Sequence, residues 1–205
     1  MAIVFNSDAG TISGLSVGGL PDGIVDGDML AANAITAGKI VDGTIVNADI
    51  NSSAAIAGSK LVMPTGSVLQ VIQDTHSAEQ NTTSSSFTDA SLSATITPSS
   101  ASNKILVLVE ITGVGKMGAS NNSGVSLKLV RNNSDVNIFA DRAGYNATGS
   151  SYNWIGSIGH NYLDSPSSTS ALTYKIQYRS KIDGSTARIN DNNNVSSLIL
   201  MEIAG

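Results

Sequence analysis

Residues 30–50, LAANAITAGKIVDGTIVNADI, carry an aliphatic side chain at every fifth position. The spacing starts earlier and runs on later, with one extra residue before its last two members. The full set is Leu15, Leu20, Val25, Leu30, Ile35, Ile40, Ile45, Ile50, Ile56 and Leu61. A helix, at about 100° per residue, would scatter these side chains around its axis. A straight strand would alternate them between its two faces. The spacing therefore predicts a chain that turns once in every repeat.

This repetitive segment is too poor in apolar residues to form a core from one chain, and Phe5 is the only aromatic residue before Phe87. Repeats that cannot cover their own apolar side chains gain stability by stacking on further coils or on other chains. We predict a glycine-rich trimeric shaft over residues 15–63, with the ten aliphatic residues as its core. A disordered linker and a single-chain pentapeptide-repeat β-helix are the alternatives.

The sequence pattern changes at Met63–Gly66, where proline and glycine interrupt the five-residue spacing. Strand-like segments follow: Ser67–Gln73, Ser91–Ile96, Lys104–Ile111, Gly124–Val130, Val136–Ala140, Tyr152–Ile158, Ala171–Arg179, Thr186–Ile189 and Val195–Ile203. Short strands joined by Ser, Asn, Asp and Gly turns are typical of an antiparallel β-sandwich of the jelly-roll kind. We therefore predict an all-β protein with a sandwich head over residues 64–205.

Two segments of the head carry more specific expectations. Ile105–Val109 is a continuous apolar run, which indicates a strand covered on one side by the core and on the other by a subunit interface. Ser77–Ser102 is rich in Ser and Thr, which predicts a long surface connection around one short strand.

Composition and motifs argue against catalysis and against a bound cofactor or metal. The formal net charge is -5, so neither nucleic acid nor an anionic membrane is an expected partner. Cysteine is absent, which excludes disulfides and thiolate metal ligands. The start of the chain lacks the basic and apolar regions of a secretory signal. His76 and His160 are the only histidines, and neither lies in a catalytic or metal-binding motif. Asp191–Asn194 lacks the spacing of a calcium loop and is better explained as a turn. We expect no enzyme activity, no cofactor and no bound metal.

One cluster favours recognition. Four of the nine aromatic residues, Tyr145, Tyr152, Trp154 and Tyr162, lie within eighteen residues of one another. Aromatic faces bind sugar rings and anchor protein interfaces. Core or interface packing is the competing interpretation for Trp154, whereas we expect Tyr145 and Tyr162 in loops.

Several segments resemble tail-fibre and fibre-like proteins of bacteriophages, particularly marine ones. They are GTISGL (10–15), GGLPDG (18–23), DGTIVNADI (42–50), PTGSVLQ (64–70), SSTSALTY (167–174) and LILMEI (198–203). The resemblance implies a homotrimer in the virion, assembled in the host cytoplasm. It also implies that the N-terminal side, here residues 1–14, attaches to another virion protein, and that the head contacts a host glycan or protein.

The receptor-contact candidates are Tyr145, Tyr152, Trp154, His160, Tyr162 and Asn192. Two other readings stay open: a head fibre or decoration protein mounted on the capsid, and a free trimeric jelly-roll carbohydrate-binding module.

Overall fold

A computed structural model describes residues 4–6, 11–13, 30–32, 34–118, 123–145, 152–182 and 185–205. The chain divides into two units, residues 1–60 and 61–205. Three members of the aliphatic series, Leu15, Leu20 and Val25, lie outside the described residues. In the described part of the chain, no helix has the length and apolarity needed to cross a membrane.

The first unit begins with a small antiparallel pair, β1 (Val4–Asn6) and β2 (Thr11–Ser13). From residue 31 onward, a backbone N–H donates to the carbonyl three residues earlier once in every repeat. The donor residues are Ala34, Lys39, Thr44, Asp49 and Ala54, followed by Lys60 after one extra residue, and the N···O distances are 2.8–3.0 Å. Short 3₁₀ turns form at Ala37–Lys39, Asn47–Asp49 and Gly58–Lys60. The prediction of one turn per repeat is confirmed for these residues.

These turns leave the aliphatic side chains uncovered by their own chain. The described members, Leu30, Ile35, Ile40, Ile45, Ile50, Ile56 and Leu61, are each 38–53% exposed, and we call them the aliphatic row. Exposed aliphatic residues are common singly, but seven in a regular series are not explained by chance exposure.

The second unit is an antiparallel sandwich of ten strands. They are β3 (Val68–His76), β4 (Gln80–Thr82), β5 (Thr88–Ile96), β6 (Lys104–Met117), β7 (Val125–Arg131), β8 (Ser134–Ala143), β9 (Tyr152–Asp164), β10 (Leu172–Ser180), β11 (Thr186–Ile189) and β12 (Ser196–Ile203). One sheet has the order β5-β10-β7-β8. The other sheet has the order β3-β12-β6-β9. Strand β11 pairs with the C-terminal end of β6, and β4 pairs with β11.

Without β4 and β11, the strand order is that of a jelly roll. The first, eighth, third and sixth strands share one sheet, and the second, seventh, fourth and fifth share the other. The prediction of an all-β sandwich is confirmed, and each of the nine predicted strands overlaps an observed one.

The core lies between the two sheets and is built by alternation. Leu172, Tyr174, Ile176 and Tyr178 of β10 are buried, as their spacing predicted. Strand β7 differs, because Ser126, Lys128 and Val130 on its other side are buried as well. Phe87 contributes to that cover, since its ring centroid lies 4.3 Å from Lys128 Nζ and 4.4 Å from the guanidinium carbon of Arg179.

One sequence expectation needs correction. Ser77–Ser102 holds two strands, the three-residue β4 and the nine-residue β5, where one short strand was expected, and Ala90, Leu92, Ala94 and Ile96 of β5 alternate into the core between polar residues. Alanine weakened the apolar alternation, and β4 has no apolar residue to mark it. The core side predicted for Ile105–Val109 is confirmed, because Ile105, Val107 and Val109 face the core. Leu106 and Leu108 face outward and are partly exposed, and their cover by a subunit interface stays a prediction.

A buried polar group joins the two sheets. The hydroxyl of Tyr174 donates to Asp164 Oδ2 at 2.6 Å, and Arg131 forms an ion pair with the same oxygen. Tyr174 belongs to one sheet and Asp164 to the other. Burial raises the pKa of Tyr174, and the neighbouring Asp164 carboxylate raises it further, so the hydroxyl keeps the proton that it donates.

Another buried carboxylate anchors the end of β12. Glu202, 1% exposed, accepts hydrogen bonds from the side chains of Gln70 and Asn103 and from both the N–H and the hydroxyl of Ser99. Burial alone would raise the pKa of Glu202, but these hydrogen bonds outweigh it and hold the pKa below its ordinary value.

Replacing Glu202 with glutamine should lower the free energy of unfolding by about 1–3 kcal/mol at neutral pH, because hydrogen bonds to a charge are lost. The folded pKa lies below the unfolded value of about 4.3, so the ionised carboxylate stabilises the fold fully above that value. This stabilisation is lost as the pH falls through the folded pKa. Urea unfolding should therefore show a smaller difference between Glu202→Gln and wild type at about pH 3 than at pH 7. Glu110→Gln, at an exposed glutamate, is the control, and an equal loss for Glu202→Gln at both pH values would contradict this explanation.

Candidate functional site

Trp154 lies on β9 at the end of the larger sheet, on the outward face. Its neighbour across the ladder is Gly115 of β6, and the next residue in the same row is Arg188 of β11. A Cβ atom added to Gly115 would lie 2.1 Å from Cε3 of the tryptophan, so the indole ring occupies the space above the glycine backbone. The guanidinium carbon of Arg188 is 5.6 Å from the ring centroid. The ring therefore rests on the sheet and remains 45% exposed.

A bulge in β6 brings a distant turn to this ring. The register with β9 shifts between Ile111 and Val114, and Gly113 has a φ of +56°. A Cβ atom on Gly113 would lie 2.2 Å from the backbone nitrogen of Asp191, so only glycine allows the turn to approach this closely. The bulge thus places residues 190–194 beside Trp154, although the two are far apart in sequence.

The turn is held by its own asparagines. Asn190, Asn192 and Asn193 have φ values of 55–58°, in the left-handed region that asparagine tolerates, and Asp191–Asn193 form a 3₁₀ turn. The buried Asn190 accepts a hydrogen bond from Ser196 Oγ. Asn192 donates to Asp191 Oδ2 at 2.9 Å. These contacts agree with the sequence interpretation of Asp191–Asn194 as a turn.

Arg188 is balanced by acidic and amide partners. Its guanidinium lies 2.9 Å from Asp191 Oδ1 and 3.4 Å from Glu79 Oε1, and its Nε donates to Asn81 Oδ1 at 2.8 Å. Two carboxylates thus face one cation beside the tryptophan ring. The site consequently carries no free positive charge that would attract an anion.

These residues enclose an open cavity of about 400 Å³, which we call the Trp154 cavity. Its lining consists of Thr112, Gly113, Val114, Trp154, Gly156, Ser157, Asp191, Asn194 and Val195. Within the described residues, the side chains of Ser157 and Asn194 have no hydrogen-bond partner, and both are exposed. The cavity therefore offers one aromatic platform with unengaged polar groups around it.

The other predicted contact residues have different positions. Tyr145 and Tyr152 are exposed, and Tyr152 lies on β9 two residues from Trp154 but outside the cavity lining. Asn192 supports Asp191 as described above. Residues 146–151, between Tyr145 and Tyr152, lie outside the described residues.

His160 and Tyr162 lie on β9, so the expectation of a loop position for Tyr162 is wrong. The His160 ring stacks on Phe139 with centroids 4.7 Å apart and faces Tyr162 at 6.4 Å. Burial lowers the pKa of His160, and one ring nitrogen lies 3.1 Å from Asn137 Nδ2. The stack connects β9 with β8, which are edge strands of the two different sheets.

The outward side of the larger sheet also carries an apolar row. Val71, Met201, Leu106 and Leu163 lie opposite one another on β3, β12, β6 and β9, and we call them the outer apolar face. Val71 and Leu163 are 54% and 51% exposed. Ile199 and Leu108 extend the face in the adjacent row. No cluster of potential metal ligands occurs among the described residues.

No family model matches the chain, and no curated protein matches it. Among solved structures, it is similar to the VP2 subviral particle of infectious bursal disease virus, with 12% identity over 66% of this chain and a TM-score of 0.33. The Gt strain of that virus gives 14% identity over 74% of this chain and a TM-score of 0.35. The matches cover only 38% and 42% of the viral chains. The jelly-roll fold is therefore defined by the strand order alone.

The position of the tryptophan can be tested by filling the space under it. Gly115→Ala should displace the indole ring towards solvent, because the new methyl group takes the place of the ring edge. Trp154 is the only tryptophan of the chain, so its fluorescence reports this change directly. We expect emission at longer wavelength with a largely unchanged fold. Gly38→Ala is the matched control, since nothing lies within 4 Å of its added Cβ atom. An unchanged spectrum in folded Gly115→Ala would show that the ring does not rest on this glycine.

Proposed function

We propose that this protein is a structural subunit of a bacteriophage virion, a homotrimeric fibre whose C-terminal head contacts the host. The carrying observation is the aliphatic row, which its own chain leaves exposed at a constant interval. Parallel copies of the segment would bring these rows together and remove them from water. Burial of one fully exposed aliphatic side chain contributes about 1.5–3 kcal/mol, and each chain supplies at least seven that are 38–53% exposed, so each contributes about half of that. The phage resemblance of the same segment supports this reading.

The head offers a second surface for contact between copies. The outer apolar face is continuous over four strands, and a contiguous apolar patch of this kind favours a protein interface. Three copies would then associate through both units. Residues 1–14 would then serve attachment to another virion protein.

Host contact is assigned to the Trp154 cavity. Its aromatic platform and unengaged polar groups lie at a bulge and a turn on a rigid sandwich, where binding residues commonly occur. Three copies of a weak site would hold a virion on a cell through avidity. Neither catalysis nor a cofactor has a place in this proposal.

Labelled virions test the proposal and separate its two forms. A gold-labelled antibody against the head should mark the tail of intact particles in electron micrographs. Label on the capsid surface would favour the head-fibre or decoration alternative. Purified protein should also compete with virions and slow their adsorption to host cells. Absence of the protein from purified virions would overturn the proposal and favour a free carbohydrate-binding module.

A further inference from the structure

We infer that the Trp154 cavity binds a neutral pyranose sugar, with one face of the sugar ring on the indole and its hydroxyl groups on Asn194 and Ser157. This inference deepens the proposed host contact and rests on it for its biological setting. The binding chemistry itself depends only on the cavity.

The indole ring of Trp154 provides the platform for the sugar ring. One side of the Trp154 ring is occupied by the Gly115 backbone, so its exposed part is the side away from the sheet. The ring rests on a glycine, and the guanidinium carbon of Arg188 lies 5.6 Å from its centroid, so these contacts limit the entropy lost when a ligand stacks on it. A pyranose has an apolar patch of C–H groups on one face, and an aromatic ring of this kind is its usual platform.

The polar residues of the cavity lining provide hydrogen-bonding groups for the sugar. The amide of Asn194 and the hydroxyl of Ser157 are available for hydrogen bonds, and both belong to the same cavity as the indole. An amide both donates and accepts, and a hydroxyl does the same, which suits the hydroxyl groups of a sugar. A protein side chain anchoring here would need a mostly apolar pocket, whereas Trp154, Val114 and Val195 are the only large apolar residues of the lining.

Charge and size select among sugars. Arg188 is already paired with Asp191 and Glu79, so an acidic sugar would meet two carboxylates and no unpaired cation. The cavity, about 400 Å³, lies near the lower end of the range for small-molecule sites. A neutral saccharide of one or two units fits both constraints.

The test uses the full-length protein and the fluorescence of its single tryptophan. Methyl glycosides of galactose, glucose, mannose and N-acetylglucosamine are titrated, with galactitol as a control that has the hydroxyl groups but no ring. At least one glycoside should saturate the signal at about 1 mM, the affinity expected for a ligand of this size. Galactitol should give no saturation.

Variants locate the binding. Asn194→Ala should weaken binding by about tenfold, the effect of one lost hydrogen bond. Trp154→Ala should abolish it, measured by saturation-transfer NMR because the fluorophore is removed. Ile155→Ala is the matched control, an exposed apolar residue on the same strand but outside the cavity lining, and should bind normally. Thermal unfolding checks that each variant is folded.

No saturable response to any glycoside, an equal response to galactitol, or normal binding by folded Trp154→Ala would each overturn the inference. Loss of adsorption by Trp154→Ala virions without glycoside binding would do the same, and would leave the cavity as a protein-contact site under the proposed function. Glycoside binding by a protein absent from virions would support the inference and contradict the proposed function instead.

Discussion

The five-residue spacing of aliphatic side chains is the constraint that sets the structure of the first unit and motivates the proposed association of chains. A turn in each repeat places one aliphatic residue at a regular interval, and the one-residue delay before Ile56 is matched by the delay in the turn at Lys60. Sequence and backbone hydrogen bonds therefore share the same period. Because one chain cannot cover the resulting row, association with further chains is the direct physical way to remove it from water.

The head achieves its stability differently. Its two sheets bury an alternating core, and carboxylates at two points replace apolar packing. Asp164 links the sheets through Tyr174 and Arg131, and Glu202 fixes the end of β12. A buried carboxylate is tolerated when it is hydrogen-bonded or paired, as Asp164 is through Oδ2 and Glu202 is through both oxygens.

Local periodicity predicted much of the fold. Strands such as β10 could be identified because apolar residues alternate over their whole length. The approach of Asp191 to Trp154 could not, since it depends on a bulge at Gly113 and on pairing between strands far apart in the chain. Isolated glycines within the strand pattern of β6 were the available signal, as such glycines often mark bulges or close backbone approach. Tyr162 and Trp154 were equally prominent in the sequence. Only the strand register shows that Tyr162 packs against the core whereas Trp154 is exposed.

The mass of the purified protein in solution tests the central claim most directly. Light scattering at micromolar concentration should give three times the chain mass of 20.9 kDa. Ile40→Asp combined with Ile45→Asp should lower that mass, because two positions of the row become charged. Val41→Asp with Val46→Asp, one residue off the row and already exposed, should leave it unchanged. A stable wild-type monomer, or a trimer indifferent to aspartates in the row, would contradict the account.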